Sequence, residues 1–239
     1  FWGVRLEAVR GFAKLKSKKY ARELIELSFE QDNRVRREIW KALKNYEKDD
    51  MVTTFLEDII RNDQKYYSVS DAFRSLVSLD QKSAKSLVSL LLNRDSHNDV
   101  IRKSAISYFG KVKNDENYQR LIELSTYGGT TWDARAEAVN QLGNYAKSKS
   151  ETLEYFIGFL EDKSRDVRRN AVRNIGKYGN ETHLANLDEI LIMDPILSRS
   201  IRRAKKQILN SKEKEGIKYF QRELKEAQKI INDVKKIVN

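Results

Sequence analysis

Val167-Arg168-Arg169-Asn170-Ala171-Val172-Arg173-Asn174-Ile175-Gly176 is the stretch from which the fold is read. Val167, Ala171, Val172 and Ile175 stand at i, i+4, i+5 and i+8, so one face of a helix is apolar. Arg168, Arg169 and Arg173 point elsewhere. Asp166 is the expected N-cap and Gly176 the expected stop. Ala171, small and central, marks where this helix passes close to a neighbour.

The same unit recurs along the chain. In steps of 33 residues from Ala171 lie Ala138, Ala105, Ala72 and, with the same step, Ile39; Ala8 is 31 further back, and Ala204 is one step forward. Four residues after each comes a large apolar side chain: Phe12, Leu43, Leu76, Phe109, Leu142, Ile175 and Ile208. Three residues before comes Arg5, Arg36, Arg102, Arg135 or Arg168, with Val69 and Ile201 as exceptions. A period this regular predicts an all-α protein, a right-handed alpha-alpha superhelix of six to seven helical hairpins. The Val-Arg-x-x-Ala-Val block resembles the second helix of a HEAT repeat, although the period is shorter than the roughly 40–47 residues usual there.

First helices are expected at Tyr20–Phe29, Met51–Arg61, Ser83–Asn93, Asn117–Ser125, Thr152–Glu161 and Thr182–Met193, separated by short polar joints. Asp194-Pro195 should end the last of these. The first repeat has a second helix, Val4 to Leu15, with no first helix before it. The expectation is a chain cut from a longer one, after something that packs on Trp2 and Val9. Repeat three departs from the pattern at Tyr66-Tyr67-Ser68-Val69-Ser70, and Tyr127-Gly128-Gly129-Thr130-Thr131-Trp132 is a longer, glycine-bearing joint.

Residues 1–211 read as the solenoid and 212–239 as a separate tail. In the tail, Ile217, Phe220, Leu224, Ala227, Ile231, Val234 and Val238 follow a 3-4 spacing, a heptad stripe. It could cap the last repeat or associate with another helix; capping and a monomer are expected.

Composition narrows the function classes. The chain of 239 residues is 34% charged, with a net charge of +11, one proline and no cysteine. Disulfides and thiolate metal sites are excluded, which fits a reducing compartment, and a cytoplasmic location is expected. No apolar run is long enough for a transmembrane helix. The basic balance favours acidic partners in general. His97 and His183 lie in different repeats with no histidine partner four residues on, so no zinc motif is present. Neither a phosphate-cradling glycine loop nor a Gly-x-Ser-x-Gly occurs. No residue is assigned to catalysis or to metal.

Two columns of basic residues remain. Arg5, Arg36, Arg102, Arg135 and Arg168 could form a structural ladder to acidic or carbonyl groups of neighbouring repeats, with Asp32, Asp99, Asp133 and Asp166 at hand upstream. Arg10, Lys41, Arg74, Arg173 and Lys206 share an outward register on the second helices, the concave wall of such solenoids. They could hold phosphates or an acidic peptide there.

Phe1-Trp2-Gly3-Val4-Arg5-Leu6-Glu7-Ala8 resembles the opening of the HEAT-type C-terminal domain in the aminopeptidase N family of zinc metallopeptidases. The charged tail after Ile201-Arg202-Arg203-Ala204 is also similar. The family's Gly-x-Met-Glu-Asn and His-Glu-x-x-His motifs are missing, so no catalytic residue carries over. The resemblance implies a non-catalytic scaffold that limits access to an active site, with the catalytic domain and its zinc before Phe1 and no cofactor in this chain. Two other readings stay open: a free-standing protein adaptor, and a basic helical-repeat nucleic-acid binder similar in architecture to alkyl-purine DNA glycosylases. The latter needs aromatics among basic residues on one surface, whereas Trp40, Phe73 and Tyr108 stand near buried faces. Nucleic acid is therefore not the expected partner.

Overall fold

The apolar face quoted first is buried: Val167, Ala171, Val172 and Ile175 are all closed to solvent. The computed structural model describes residues 1–15 and 18–238, with side chains described for these except residues 18 and 230–238. The described residues contain helices and no strands. First and second helices alternate as the ladder requires. The second helices are α1 (Trp2–Leu15), α3 (Asn33–Leu43), α5 (Tyr66–Leu79), α7 (Val100–Lys111), α9 (Trp132–Leu142), α11 (Arg165–Tyr178) and α13 (Ser198–Val238). The first helices are α2 (Lys18–Glu26), α4 (Asp50–Asn62), α6 (Gln81–Leu92), α8 (Asp115–Ser125), α10 (Thr152–Gly158) and α12 (Leu184–Met193). The protein is an all-α array of HEAT-like hairpins. Contacts divide it into two compact units, Phe1–Tyr145 and Ala146–Asn239.

In the first unit α1, α3, α5, α7 and α9 pack side by side in chain order. Their line of contact is the ladder: Ile39, Ala72, Ala105 and Ala138 are fully buried, whereas Ala8, on the first helix of the row, is exposed. Small side chains at the crossing let the helix axes approach, and the large residue four positions on fills the space beside it. In the second unit α11 packs on α13 in the same way. A Cβ added to Gly176 would lie 2.6 Å from the Cβ of Ala204, closer than two such atoms can come. Gly176 is thus a contact residue inside α11, not the stop expected of it. The helix runs to Tyr178 and closes with the Gly179 amide donating to the Ile175 carbonyl.

The joints are short because side chains cap the helices. Asp32, Asp49, Asp80, Asn114 and Thr131 each accept an amide from the first turn of α3, α4, α6, α8 and α9. Asp166 is no cap: Ser164 stands before α11, and Asp166 pairs with Arg169 inside the first turn. Repeat three keeps its helix by burying polar groups. Ser68, Ser70, Asp71 and Ser75 of α5 are all buried, and Ser68 takes the indole N–H of Trp40 at 3.4 Å. In the joint from α8 to α9, Gly128 adopts φ +84°, a backbone that favours glycine.

The tail does not fold back. It continues α13 as one helix of 41 residues, so the boundary expected at 211/212 falls within it. Ile201, Ala204 and Ile208 are buried, but Ile217, Phe220 and Leu224 are 56%, 70% and 70% exposed, and Ala227 is exposed too. Capping would require a tight turn after Ile208, and the Lys/Glu-rich run 212–215 has strong helix propensity instead. The side chains of Ile231, Val234 and Val238 lie outside the described residues.

Three measurements test this frame. Gly176→Ala should cost about 1–3 kcal/mol in denaturant melts by overpacking α11 against α13. Gly216→Ala, with nothing within 4 Å of the new methyl, should raise helicity by circular dichroism without destabilising the fold. Leu224→Lys, on the exposed stripe, should leave stability within about 0.5 kcal/mol; a large drop would restore the capping idea.

A fourth concerns acid. The Asp80 carboxylate receives Lys48 at 2.6 Å and caps α6, which holds its pKa down from 3.8 to about 2, with the lysine the main cause. A depressed carboxylate adds stability that is complete above its unfolded value and vanishes as pH falls through its folded one. The stability gap between the wild type and Asp80→Asn should therefore be full above pH 3.8 and close as pH falls to about 2. A gap constant down to pH 2 would count against the assignment.

Candidate functional site

On the outer side of the second helices, the residue before each ladder position is acidic in Glu7, Glu38, Asp71 and Glu137. The residue two after it is basic in Arg10, Lys41 and Arg74. Acid and base are three apart on a helix, so they share a side. Between helices they interleave. Arg10 reaches Glu7 at 2.6 Å and Glu38 at 3.1 Å; Lys41 reaches Glu38 at 3.7 Å and Asp71 at 3.9 Å.

The alternation breaks at α7. Its acidic position is Ser104, which is buried and donates to the Ile101 carbonyl of its own helix. Arg74 therefore meets no carboxylate from the next helix. Asp71, one turn before it on α5, is taken by Arg37 at 2.6 Å. The charge of Glu137, two helices on, acts on Arg74 and Lys103, but burial pushes the Glu137 carboxyl above its usual range. Among the described residues the Arg74 side chain has no ion pair.

A groove of roughly 430 Å³ lies around this gap. Lys41 of α3 and Lys44 just after it, Asp71 and Arg74 of α5 and Lys111 of α7 supply its charge; Ser75, Ser78 and Ser107 add hydroxyls. Four cations face one carboxylate. Lys111 donates to the Ser78 hydroxyl at 2.5 Å. Loss of water, and secondarily the charge of Lys44, pull the Lys111 ammonium below the usual lysine value. With four cations around one carboxylate, the site is short of negative charge.

The expected basic column is brought together only in part. Lys41 and Arg74 share the groove, Arg10 is engaged by glutamates, and Arg173 and Lys206 are exposed in the second unit. Lys44 and Lys111 were not among the expected residues. They stand three and four residues after Lys41 and Ser107, and the i+3, i+4 rule places them on the same side.

The Arg column has a different task. Arg36 donates to the Glu30 carbonyl at 2.8 Å, Arg102 to that of Leu92 at 2.7 Å, Arg135 to that of Ser125 at 3.4 Å, and Arg168 to that of Asp162. Leu92 and Ser125 are the last residues of α6 and α8, and Glu30 and Asp162 follow the 3-10 turns that extend α2 and α10, so each target lies where the first helix of the hairpin gives out and unpaired carbonyls gather. Arg5 instead binds Glu30 at 2.7 Å. Of the upstream aspartates only Asp99 pairs with its own column arginine, Arg102. Asp32 goes to Arg34, Asp133 to Lys103 and Asp166 to Arg169, while Arg168 takes Asp194.

The other candidates are scattered. His97 lies beside Tyr66, ring centres 6.3 Å apart, and His183 closes the capping turn with Asn180. Among the described residues no three metal-ligating side chains cluster, and no helix is long and apolar enough to cross a membrane. Tyr127 and Trp132 of the glycine joint are exposed, with the Arg135 guanidinium 5.2 Å from the Tyr127 ring.

Comparison with known proteins finds helical repeats over part of the chain. No curated protein matches the chain. Among solved structures, the complex of CpcE and CpcF of phycocyanin lyase from Nostoc sp. PCC7120 is similar at 15% identity, covering 87% of this chain and 89% of that one, with a TM-score of 0.46. A family model described as HEAT repeats matches residues 125–204, from the end of α8 into α13.

Proposed function

We propose that the chain is a HEAT-repeat adaptor that holds an acidic segment of a partner protein in the groove between α3, α5 and α7. The observation that carries this is the interrupted alternation: Ser104 replaces an acid, and Arg74, Lys44 and Lys111 gather around the gap with no ion pair among the described residues. Rigid repeat scaffolds bind through such exposed helix faces. Cationic side chains there speed encounter with an acidic partner and orient it.

Nucleic acid fits less well. A phosphate backbone needs cations in a continuous track with aromatic platforms between them. Here the neighbouring cations Arg10 and Lys103 are bound to carboxylates, and no aromatic side chain lines the groove. The aminopeptidase resemblance of the opening residues gains no support from the comparisons.

Fluorescence anisotropy with a labelled glutamate-rich dodecapeptide tests the proposal. Binding should weaken at least about tenfold, about 1.4 kcal/mol, in the double variant Arg74→Glu, Lys111→Glu, with the melting temperature kept. The second-unit variant Arg173→Glu, Lys206→Glu should bind as the wild type does. Equal binding by the wild type and the groove variant, or none by the wild type at low salt, would overturn the reading.

A further inference from the structure

We infer that the groove is a receptor for a phosphoryl group carried on a partner's peptide chain, a deepening that rests on the adaptor reading above. The charge is concentrated rather than spread. Asp71 is neutralised by Arg37 and Lys41 is engaged by Glu38, which leaves Lys44, Arg74 and Lys111 around one opening. The nearest cations on either side are paired, Arg10 with Glu38 and Lys103 with Asp133. Among the described residues of the first unit, a run of carboxylates, each carrying one charge, would find cations without ion pairs gathered at this opening. A phosphomonoester brings about −1.5 to −2 charges and three acceptor oxygens to that one point.

The donors match in kind. Arg74 offers a guanidinium fork with no ion pair among the described residues, the group suited to two-point contact with a phosphoryl oxygen pair. Lys44, at the C-cap of α3, and Lys111 of α7 flank it as point charges. Lys111 stands near Lys44, and an added anion between them would offset their mutual repulsion. The volume, roughly 430 Å³, exceeds a phosphoryl group and leaves room for the side chain that bears it. Lys44, Arg74 and Lys111 are exposed, so the groove is open. Small-ligand sites enclose about 70–90% of their ligand. An open groove suits a group whose remaining contacts lie outside it, as in a peptide.

The test uses three labelled decapeptides of alanine, serine and glycine, identical except for phosphoserine, glutamate or serine at the centre, with inorganic phosphate as competitor. The expected order is phosphoserine at least about tenfold tighter than glutamate, and glutamate tighter than serine. Arg74→Lys should remove most of the phosphoserine preference while changing the glutamate peptide little, because lysine keeps the charge and loses the fork. Equal affinity for the phosphoserine and glutamate peptides would overturn this inference and leave the acidic-segment reading standing. Absence of binding by either, together with failure of the glutamate-rich dodecapeptide, would overturn both. Inorganic phosphate binding as tightly as the phosphopeptide would overturn the peptide part and make the ligand a free anion.

Discussion

Within each unit the second helices pack with small side chains buried along the ladder, Ile39 of α3 excepted, and that close packing fixes much else. With alanine or glycine at the crossing, the helix spacing is set by backbone rather than by adaptable side chains. The row therefore has one register. Once Ala72, Ala105 and Ala138 are aligned, the residues one before and two after each must face one another across neighbouring helices. The acid–base alternation on the outer face and the arginine bond to the preceding helix end both follow from it. Tyr46 and Tyr145 add matching struts, their hydroxyls reaching the Phe12 and Phe109 carbonyls at 2.7 Å each.

A site can arise in such an array by omission. No residue in the groove is unusual for its helix; the acidic position is simply filled by Ser104, whose hydroxyl turns inward to its own backbone. The cations on either side were placed by the repeat and lack only their partner. Charge is thereby concentrated without any special loop, and the cost of holding like charges together falls on a frame rigid enough to bear it.

The helices, their alternation and the buried ladder were legible because they depend on period, and period survives in a single sequence. Residues whose roles depend on a partner from another helix were read less well. Arg36, Arg102, Arg135 and Arg168 looked like partners for upstream aspartates, yet all four reach carbonyls where the first helix gives out, Arg102 in addition to Asp99, and carbonyls leave no mark in a sequence. Gly176 looked like a stop, since a glycine near a helix end reads the same whether it bends the chain or admits a neighbour. Lys44 and Lys111 were missed because each belongs to a different register of the repeat, and only the stacked helices bring those registers together. The tail stripe showed that a helix would form there but not what, if anything, would cover it.

The length of α13 makes that helix a transmission shaft. Its first turns are locked by Ile201, Ala204 and Ile208, and it then runs on without a break, about 60 Å in all at 1.5 Å per residue. A straight helix passes rotation along its axis with little slack. Anything that grips the far stripe also fixes the angular setting of the last hairpin, and the reverse holds. The phase between grip and hairpin is counted in residues. Removing one residue near Gly216 would turn the stripe by about 100°, whereas removing seven would return it almost to its starting direction and draw it in by about 10 Å.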